Sequence, residues 1–484
     1  MDTRSRFIRK SKKQSAQSWK PHAYQKKAMK FLLSRPHAGL LLDPGLGKTS
    51  ITLGAISVLK KEGLFKGALI VAPLRVANSV WPGEVSKWKE FNDLKVVLLH
   101  GKEKRERAKE DADIYVINFE GLPWLIEEGY LEDMLEEGRV NMLVVDELSK
   151  MKHPKTKRFK LLKPWLKKFE RRIGLTGSPA ANGLMDLFGQ IYILDRGAAL
   201  GEYITHYRAN YFIPVNDFTW KPRKGAEKII YERIKDLVLR MDAEDYLELP
   251  AQVDNIIPVE LPPKAAKIYK QLEEELLAEI EGKTVSATTV ATAVGKCKQV
   301  ANGAVYIDRI DEVTGERLST KKRWEKVHDE KIDALLDLID EMQGQQLLVA
   351  YEYQHDLERL LKALPKGTPY IGGGVSAKEA MRLEREWNAG RIPILLGHPQ
   401  SIGHGMNLQG SSASAICWFS LPWDYELYDQ FNRRLRRQGN DTERIFVHHI
   451  LAKDTVDFAI FAALRSKQRT QDALLDALKA LRRR

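Results

Sequence analysis

Three short stretches of this chain hold the residue types that phosphoryl transfer asks for. In "LLLDPGLGKTSITLGAI", Gly45, Leu46, Gly47, Lys48, Thr49 and Ser50 lie between an apolar run and a helical pattern. Glycines let a backbone curl until its N–H groups face phosphate oxygens, and a helix N-terminus adds partial positive charge there. In that setting Lys48 reaches the β- and γ-phosphates of ATP, and the Thr49 hydroxyl ligates Mg²⁺. The full phosphate-loop pattern asks for a glycine where this chain has Leu42. In "NMLVVDELSK" a strand-like run ends in Asp146 and Glu147. Ligands sit at the carboxyl ends of strands in open α/β sheets. Asp146 is thus placed to hold Mg²⁺ through water, and Glu147 to orient and deprotonate an attacking water. The third stretch, "YDQFNRRLRRQGN", holds Arg433, Arg434, Arg436 and Arg437 within five positions. Taken alone, such a run is a solvated face.

Composition narrows the setting. The chain has 484 residues, enough for two or more domains, and its hydrophobic fraction of 43% supplies real cores. Two cysteines, Cys297 and Cys417, argue against a disulfide framework or a cysteine-rich zinc site and fit a reducing cytoplasm. No apolar run approaches the ~20 residues that span a bilayer. The basic start "MDTRSRFIRKSKKQ" has no apolar segment behind it, so no secretory leader is expected. The charge of +13, from 78 Lys and Arg against 65 Asp and Glu, favours a polyanionic partner. From Lys150 to Arg172 Glu170 is the only acid. That run, with Lys150, Lys152 and Lys155, is either a solvated face or a surface for the phosphate backbone of DNA.

These groups need a frame. "GLLLDPG", "GALIVAP", "DIYVINF", "NMLVVDE" and "RIGLTGSP" alternate with helical segments, the rhythm of a parallel sheet covered on both faces. Beyond about residue 200, "AEKIIYERIKDLVLRM" and "PKAAKIYKQLEEELLAEIEG" are helical in period, with "VDNIIPVEL" the one ambiguous strand. The strand rhythm returns in "QQLLVAY", "TPYIGG", "IPILLGH", "SAICWFS" and "RIFVHHIL". The last segment, from "DTVDFAIFAALRSKQ" onward, is helical behind a capping aspartate or threonine. The expected architecture is α/β, with two parallel-sheet lobes and a helical middle. Its expected divisions are 1–195 for the first lobe, 196–330 for the helical region and 331–484 for the second lobe with its C-terminal helix.

In order along the chain, "YQKKAM", "DPGLGKT", "LIVAPLRV", "DELSKMKHP", "LTGSPAANGLMDLF", "SIGHGMNLQG" and "QFNRRLRRQGN" resemble the motifs of superfamily 2 helicase-like motors. The set is most similar to the Swi/Snf-type ATPases, particularly compact viral or bacterial members. "LVLRMDAEDYLELP", "KCKQVANGAVY" and "HDEKIDALLDLI" resemble that branch's inter-motif segments, and the likeness runs from about Tyr24 to Asp454. It implies two RecA-like lobes in tandem with helical insertions. It also implies that Gln25 reads the adenine edge, and that Thr176, Gly177 and Ser178 couple the nucleotide site to the other lobe. Pro73, Arg75, residues around Asn118, and Ser178 would contact the nucleic acid. Gly403, Gly405 and Asn407 would face both nucleotide and nucleic acid. Gln430, Arg434 and Arg437 match the last motif's spacing, with Arg437 as the arginine finger. Leu148 and Ser149 stand where the family has Ala-His or Ser-His, and "GHPQSIGHG" replaces a Ser-Thr-x-Ala-Gly-Gly stretch.

The implied activity is a DNA-stimulated ATPase that translocates along duplex DNA with little sequence preference, a monomeric motor with no membrane association. A strand-separating or fork-remodelling, annealing helicase is the alternative among enzymes. A nucleotide-gated DNA-binding scaffold with little turnover is the alternative from another class. His22, His448 and His449 lack the partners of a metal site and read as structural. Trp418 and Trp423 read as packing residues, with base stacking as the other possibility. Arg434 and Arg437, three apart, would share one face of a helical turn on the γ-phosphate side of the cleft as catalytic residues, whereas Arg433 and Arg436 would pair with acids or touch backbone phosphate.

Overall fold

The computed structural model describes residues 17–177, 183–214, 220–247, 249–282, 287–307, 323–402 and 405–466. Ser178, Gly403, His404, the basic N-terminal stretch and the C-terminal "ALRRR" lie outside the described residues. The chain divides into two compact units. One comprises residues 1–40, 47–146 and 155–175, the other residues 41–46, 147–154 and 176–484.

The first unit is built on a sheet whose strands run in the order β3-β4-β2-β5-β6-β1. These are β1 (His37–Leu42), β2 (Ala68–Ala72), β3 (Val96–Leu98), β4 (Ile114–Asn118), β5 (Met142–Asp146) and β6 (Arg171–Thr176). The β3–β4, β4–β2, β2–β5 and β5–β6 pairs are parallel. Every residue of β2, β4 and β5 is buried, as expected for strands covered on both faces. Two helices matter for the site, α1 (Ala23–Leu33) and α2 (Lys48–Lys61). Gly54 lets α2 approach its neighbours closely, since a β-carbon there would stand 2.6 Å from the Trp19 ring and 3.0 Å from Met29 Sδ.

The second unit carries its own parallel sheet. Its strands are β7 (Ala251–Val259), β8 (Leu347–Ala350), β9 (Tyr370–Ile371), β10 (Ile394–Gly397), β11 (Ala415–Trp418) and β12 (Arg444–Ala452). They run in the order β7-β12-β11-β8-β10-β9, every neighbouring pair parallel. The ambiguous "VDNIIPVEL" is therefore a strand: β7 pairs with β12 from Ala251–Arg444 to Val259–Ala452. It is an edge strand, which explains both its partly exposed pattern and its tolerance of Pro258. Of the two segments expected to be helical, one differs. "AEKIIYERIKDLVLRM" forms a helix only over Ala226–Ile234, and Val238–Met241 is a strand. "PKAAKIYKQLEEELLAEIEG" is helical throughout, over Pro263–Gly282. Thr455 caps the helix Val456–Arg465 by accepting from Asp457 N–H at 3.3 Å. Among the described residues no helix is long and apolar enough to cross a membrane.

Candidate nucleotide and nucleic-acid site

In the first unit the turn ahead of α2 depends on glycine. Gly47 is the residue before the helix and sits at φ 79°, in the left-handed region that side chains resist. A β-carbon on Gly47 would stand 2.5 Å from Gln25 Nε2 and 3.0 Å from Ser50 Oγ. Gln25 is thus packed against the turn, and its Oε1 accepts from His22 N–H at 3.0 Å to fix the start of α1. Ser50 Oγ donates back to the Gly47 carbonyl at 3.0 Å. Lys48 and Thr49 open α2 half-buried, with no side chain capping the helix. Such a helix start suits a phosphate. At the end of β5 Asp146 is buried, and its Oδ2 accepts from Trp81 Nε1 at 2.9 Å. A carboxylate and a hydroxyl are a donor set that Mg²⁺ accepts, because it keeps several waters and phosphate oxygens as its remaining ligands.

Other proposed contacts in this unit have local partners. Asn118 is buried at the end of β4 and donates from Nδ2 to Glu120 at 2.8 Å. Pro73 and Arg75 follow β2, both half-buried, and the Arg75 carbonyl accepts from Ser79 Oγ at 2.7 Å. Lys155 is exposed.

The remaining candidate residues lie in the second unit. Glu147 is a non-glycine residue at φ 69°, a conformation costing on the order of 1–3 kcal/mol that persists where surroundings enforce it. Its Oε1 accepts from Ser149 Oγ at 2.7 Å and from Thr176 Oγ1 at 3.3 Å. Thr176 is fully buried, and Gly177 packs on Pro44, with 3.0 Å between a would-be β-carbon and Pro44 Cδ. Lys150 is half-buried, and Lys152 is answered by Asp186 at 3.2 Å.

The four arginines separate sharply. The helix Tyr425–Asn432 stops before all of them. The expected helical face shared by Arg434 and Arg437 is therefore replaced by an irregular turn, in which Arg437 N–H donates to the Leu435 carbonyl at 2.8 Å. Arg434 is buried and donates from Nε to the Gln430 carbonyl at 2.9 Å and from Nη1 to the Met406 carbonyl at 2.8 Å. Burial first, then the neighbouring Arg437 charge, lower its pKa from the ordinary arginine value. Arg433 bridges Asp43 at 2.9 Å and Asp429 at 2.7 Å. Burial works against its charge, but the two carboxylates more than offset this and raise its pKa. Arg436 pairs with Glu244 at 2.9 Å and donates to the Pro250 carbonyl at 3.0 Å.

Arg437 differs from all three. Its Nη1 donates to Asn407 Oδ1 at 2.8 Å, and its Cγ and Nε lie 3.5 Å from where a β-carbon on Gly45 would be. Gly45 itself is at φ 97°. The guanidinium stem thus lies along the start of the phosphate-loop sequence; Gly405, two residues before Asn407 in the chain, sits at φ 79°.

Sequence reasoning passed over four participants: Asp43, Trp81, Ser149 as a bonding partner, and Glu426. Glu426 Oε1 accepts from Gln430 Nε2 at 3.1 Å, and the four-residue spacing within "YELYDQ" was the available signal. His449 is satisfied by Tyr428 Oη at 2.8 Å, and Trp418 is buried with its Nε1 donating to Asn432 at 2.9 Å.

The SNF2-related domain matches residues 24–304, more than half of the chain, and the helicase conserved C-terminal domain matches residues 330–439. The chain belongs to the SNF2-related family. These two domains are those of ATP-hydrolysing, helicase-like enzymes. Protein p41 of Acyrthosiphon pisum secondary endosymbiont phage 1 is 34% identical over 477 residues, covering 95% of this chain and 98% of its own. The human DNA annealing helicase and endonuclease ZRANB3 is 25% identical over 473 residues. That alignment covers 94% of this chain and 40% of the relative. A Sulfolobus solfataricus SWI2/SNF2 ATPase core, solved in complex with double-stranded DNA, is 22% identical with a TM-score of 0.43, covering 95% of this chain and 94% of that one. Against the pattern of the SNF2-related family, Ser149 is a departure with a physical consequence. It places a short hydroxyl, bonded to Glu147, where the resemblance implies an imidazole.

Proposed function

We propose that this SNF2-related ATPase couples ATP hydrolysis to movement along duplex DNA with little sequence preference. The observation that carries the reading is Arg437 against Gly45: its stem lies along the phosphate-loop sequence while its Nη1 donates to Asn407, and Arg433, Arg434 and Arg436 bond to other partners. Lys48 and the N–H groups at the start of α2 bind the phosphates of ATP, with Gln25 at the base. Thr49 and Asp146 would hold Mg²⁺, which would supply charge neutralisation for the phosphates of ATP. Glu147, held by Ser149 and Thr176, orients a water and takes its proton. As the water oxygen bonds to the γ-phosphorus, the bond to the bridging oxygen breaks and ADP leaves. Arg437 stabilises the charge that develops in this step.

Support for DNA comes from the +13 charge and from relatives named for DNA annealing and for DNA repair and recombination. Pro73, Arg75, Asn118, Lys150, Lys155 and Asn407 are the proposed backbone contacts. Lys152 has the smaller part, because Asp186 answers its charge. Phosphate contacts carry little sequence information, hence the expected lack of preference. ATP turnover measured with duplex DNA, single strands, forks and RNA tests the reading. Duplex DNA should stimulate most, and Lys48→Ala should abolish turnover. Indifference to DNA, or stimulation by RNA alone, overturns it. The likeness to an annealing helicase favours fork remodelling as a second reading. A forked substrate stimulating well beyond an equal length of duplex would select it.

A further inference from the structure

Glu426 has no part in the mechanism above, yet it reaches the group that holds the proposed base. Ser149 Oγ lies 2.7 Å from Glu147 Oε1 and 3.4 Å from Glu426 Oε1. A hydroxyl has one proton to give. The shorter contact takes it, as donation to Glu147. The longer contact is then a hydrogen bond only if Glu426 supplies the proton. Gln430 Nε2 donates to Glu426 Oε1 from the other side at 3.1 Å.

We propose that Glu426 is a positioning residue for the hydrolytic step: as a neutral carboxylic acid it donates to Ser149, which donates to Glu147. The proposal rests on Glu147 being the base. The result is one directed chain, Gln430 to Glu426 to Ser149 to Glu147, that ties the orientation of Glu147 to the helix Tyr425–Asn432. Unlike an ionised carboxylate, the acid can donate, and it puts no second negative charge beside the base. The surroundings favour this form. Loss of solvation, then the charges of Glu147 and Asp424, push the Glu426 carboxyl up to about 8, against the weaker pull of Lys152 and Lys150.

The test uses the full chain with ATP and duplex DNA from about pH 6 to about pH 9, a window spanning both protonation states of Glu426. Glu426→Ala should lower kcat by about 10- to 100-fold with little change in KM, as a misoriented base does. Glu426→Gln, whose amide can donate where the acid did, should recover most of that loss. Wild-type kcat should fall as pH rises through about 8, and that limb should be missing in Glu426→Gln. If glutamine is as damaging as alanine, or the two pH profiles coincide, the proposal is wrong. Thermal melts give a readout independent of turnover. The folded state keeps a proton that the unfolded chain releases above about 4.5. Wild-type stability from this group is therefore full below that pH and lost as pH rises through about 8. The Tm advantage of Glu426→Gln should widen over that interval, and a constant difference would also overturn the proposal. Absence of wild-type turnover would instead count against the ATPase reading, with the melts still deciding the state of Glu426.

Discussion

The phosphate loop, residues 43–50, and the arginine turn, residues 433–437, are both short, polar and rich in functional groups, yet they are organised on opposite principles. In the loop the decisive features are backbone conformations: Gly45 at φ 97°, Gly47 at φ 79°, and a helix that begins at Lys48. In the turn they are side-chain partners drawn from far away in sequence, namely Asp43, Glu244, Met406 and Asn407. Backbone conformation is encoded locally, whereas partner choice is a property of the folded chain. A motif built the first way can be read from its own residues; one built the second way cannot.

This contrast can be broken at either end. The largest effect is expected from Arg437→Ala, which should lower kcat by about 10³–10⁵ while nucleotide affinity is largely kept. Single-turnover rates alongside binding of a fluorescent ATP analogue check it, and a mainly KM effect would assign Arg437 to binding instead. Next comes Gly47→Ala, which needs a left-handed alanine and a β-carbon 2.5 Å from Gln25 Nε2. Strain of about 1–3 kcal/mol should weaken nucleotide binding by about 10- to 100-fold, read by the same titration. The smallest effects separate the remaining arginines. Arg434→Met should cost about 1–3 kcal/mol of stability for each buried carbonyl left without its donor. Arg436→Ala loses a partly exposed pair and should cost under about 1 kcal/mol, both read by denaturant titration. Equal costs for the two would mean that burial does not distinguish them.

Much of the frame was legible because buried parallel strands are written as continuous apolar runs. "ALIVA", "IYVIN" and "MLVVD" became β2, β4 and β5, and the second set of runs became a second parallel sheet. The edge strand β7 was ambiguous because its pairing on one side only leaves its pattern half polar. The strand Val238–Met241 was hidden because a short apolar run after a helix continues the helical period. At the site, Asp146 and Glu147 could be located from the end of a strand, but the left-handed turn at Glu147 could not, since no glycine announces it.

The sequence by itself determined the order of the motifs, the glycine-dependent turn before Lys48 and the apolar strands that end in Asp146, because each rests on neighbours a few residues apart. Only the tertiary structure decided that Arg433 meets Asp43, that Arg434 is spent on two carbonyls, that Arg437 lies along Gly45, and that Ser149 stands between Glu147 and Glu426. Although Gln430 and Glu147 are near neighbours of Arg434 and Ser149, the other partners lie tens to hundreds of positions away. Long flexible side chains of one type are chemically equivalent until a fold gives each a different burial and a different partner.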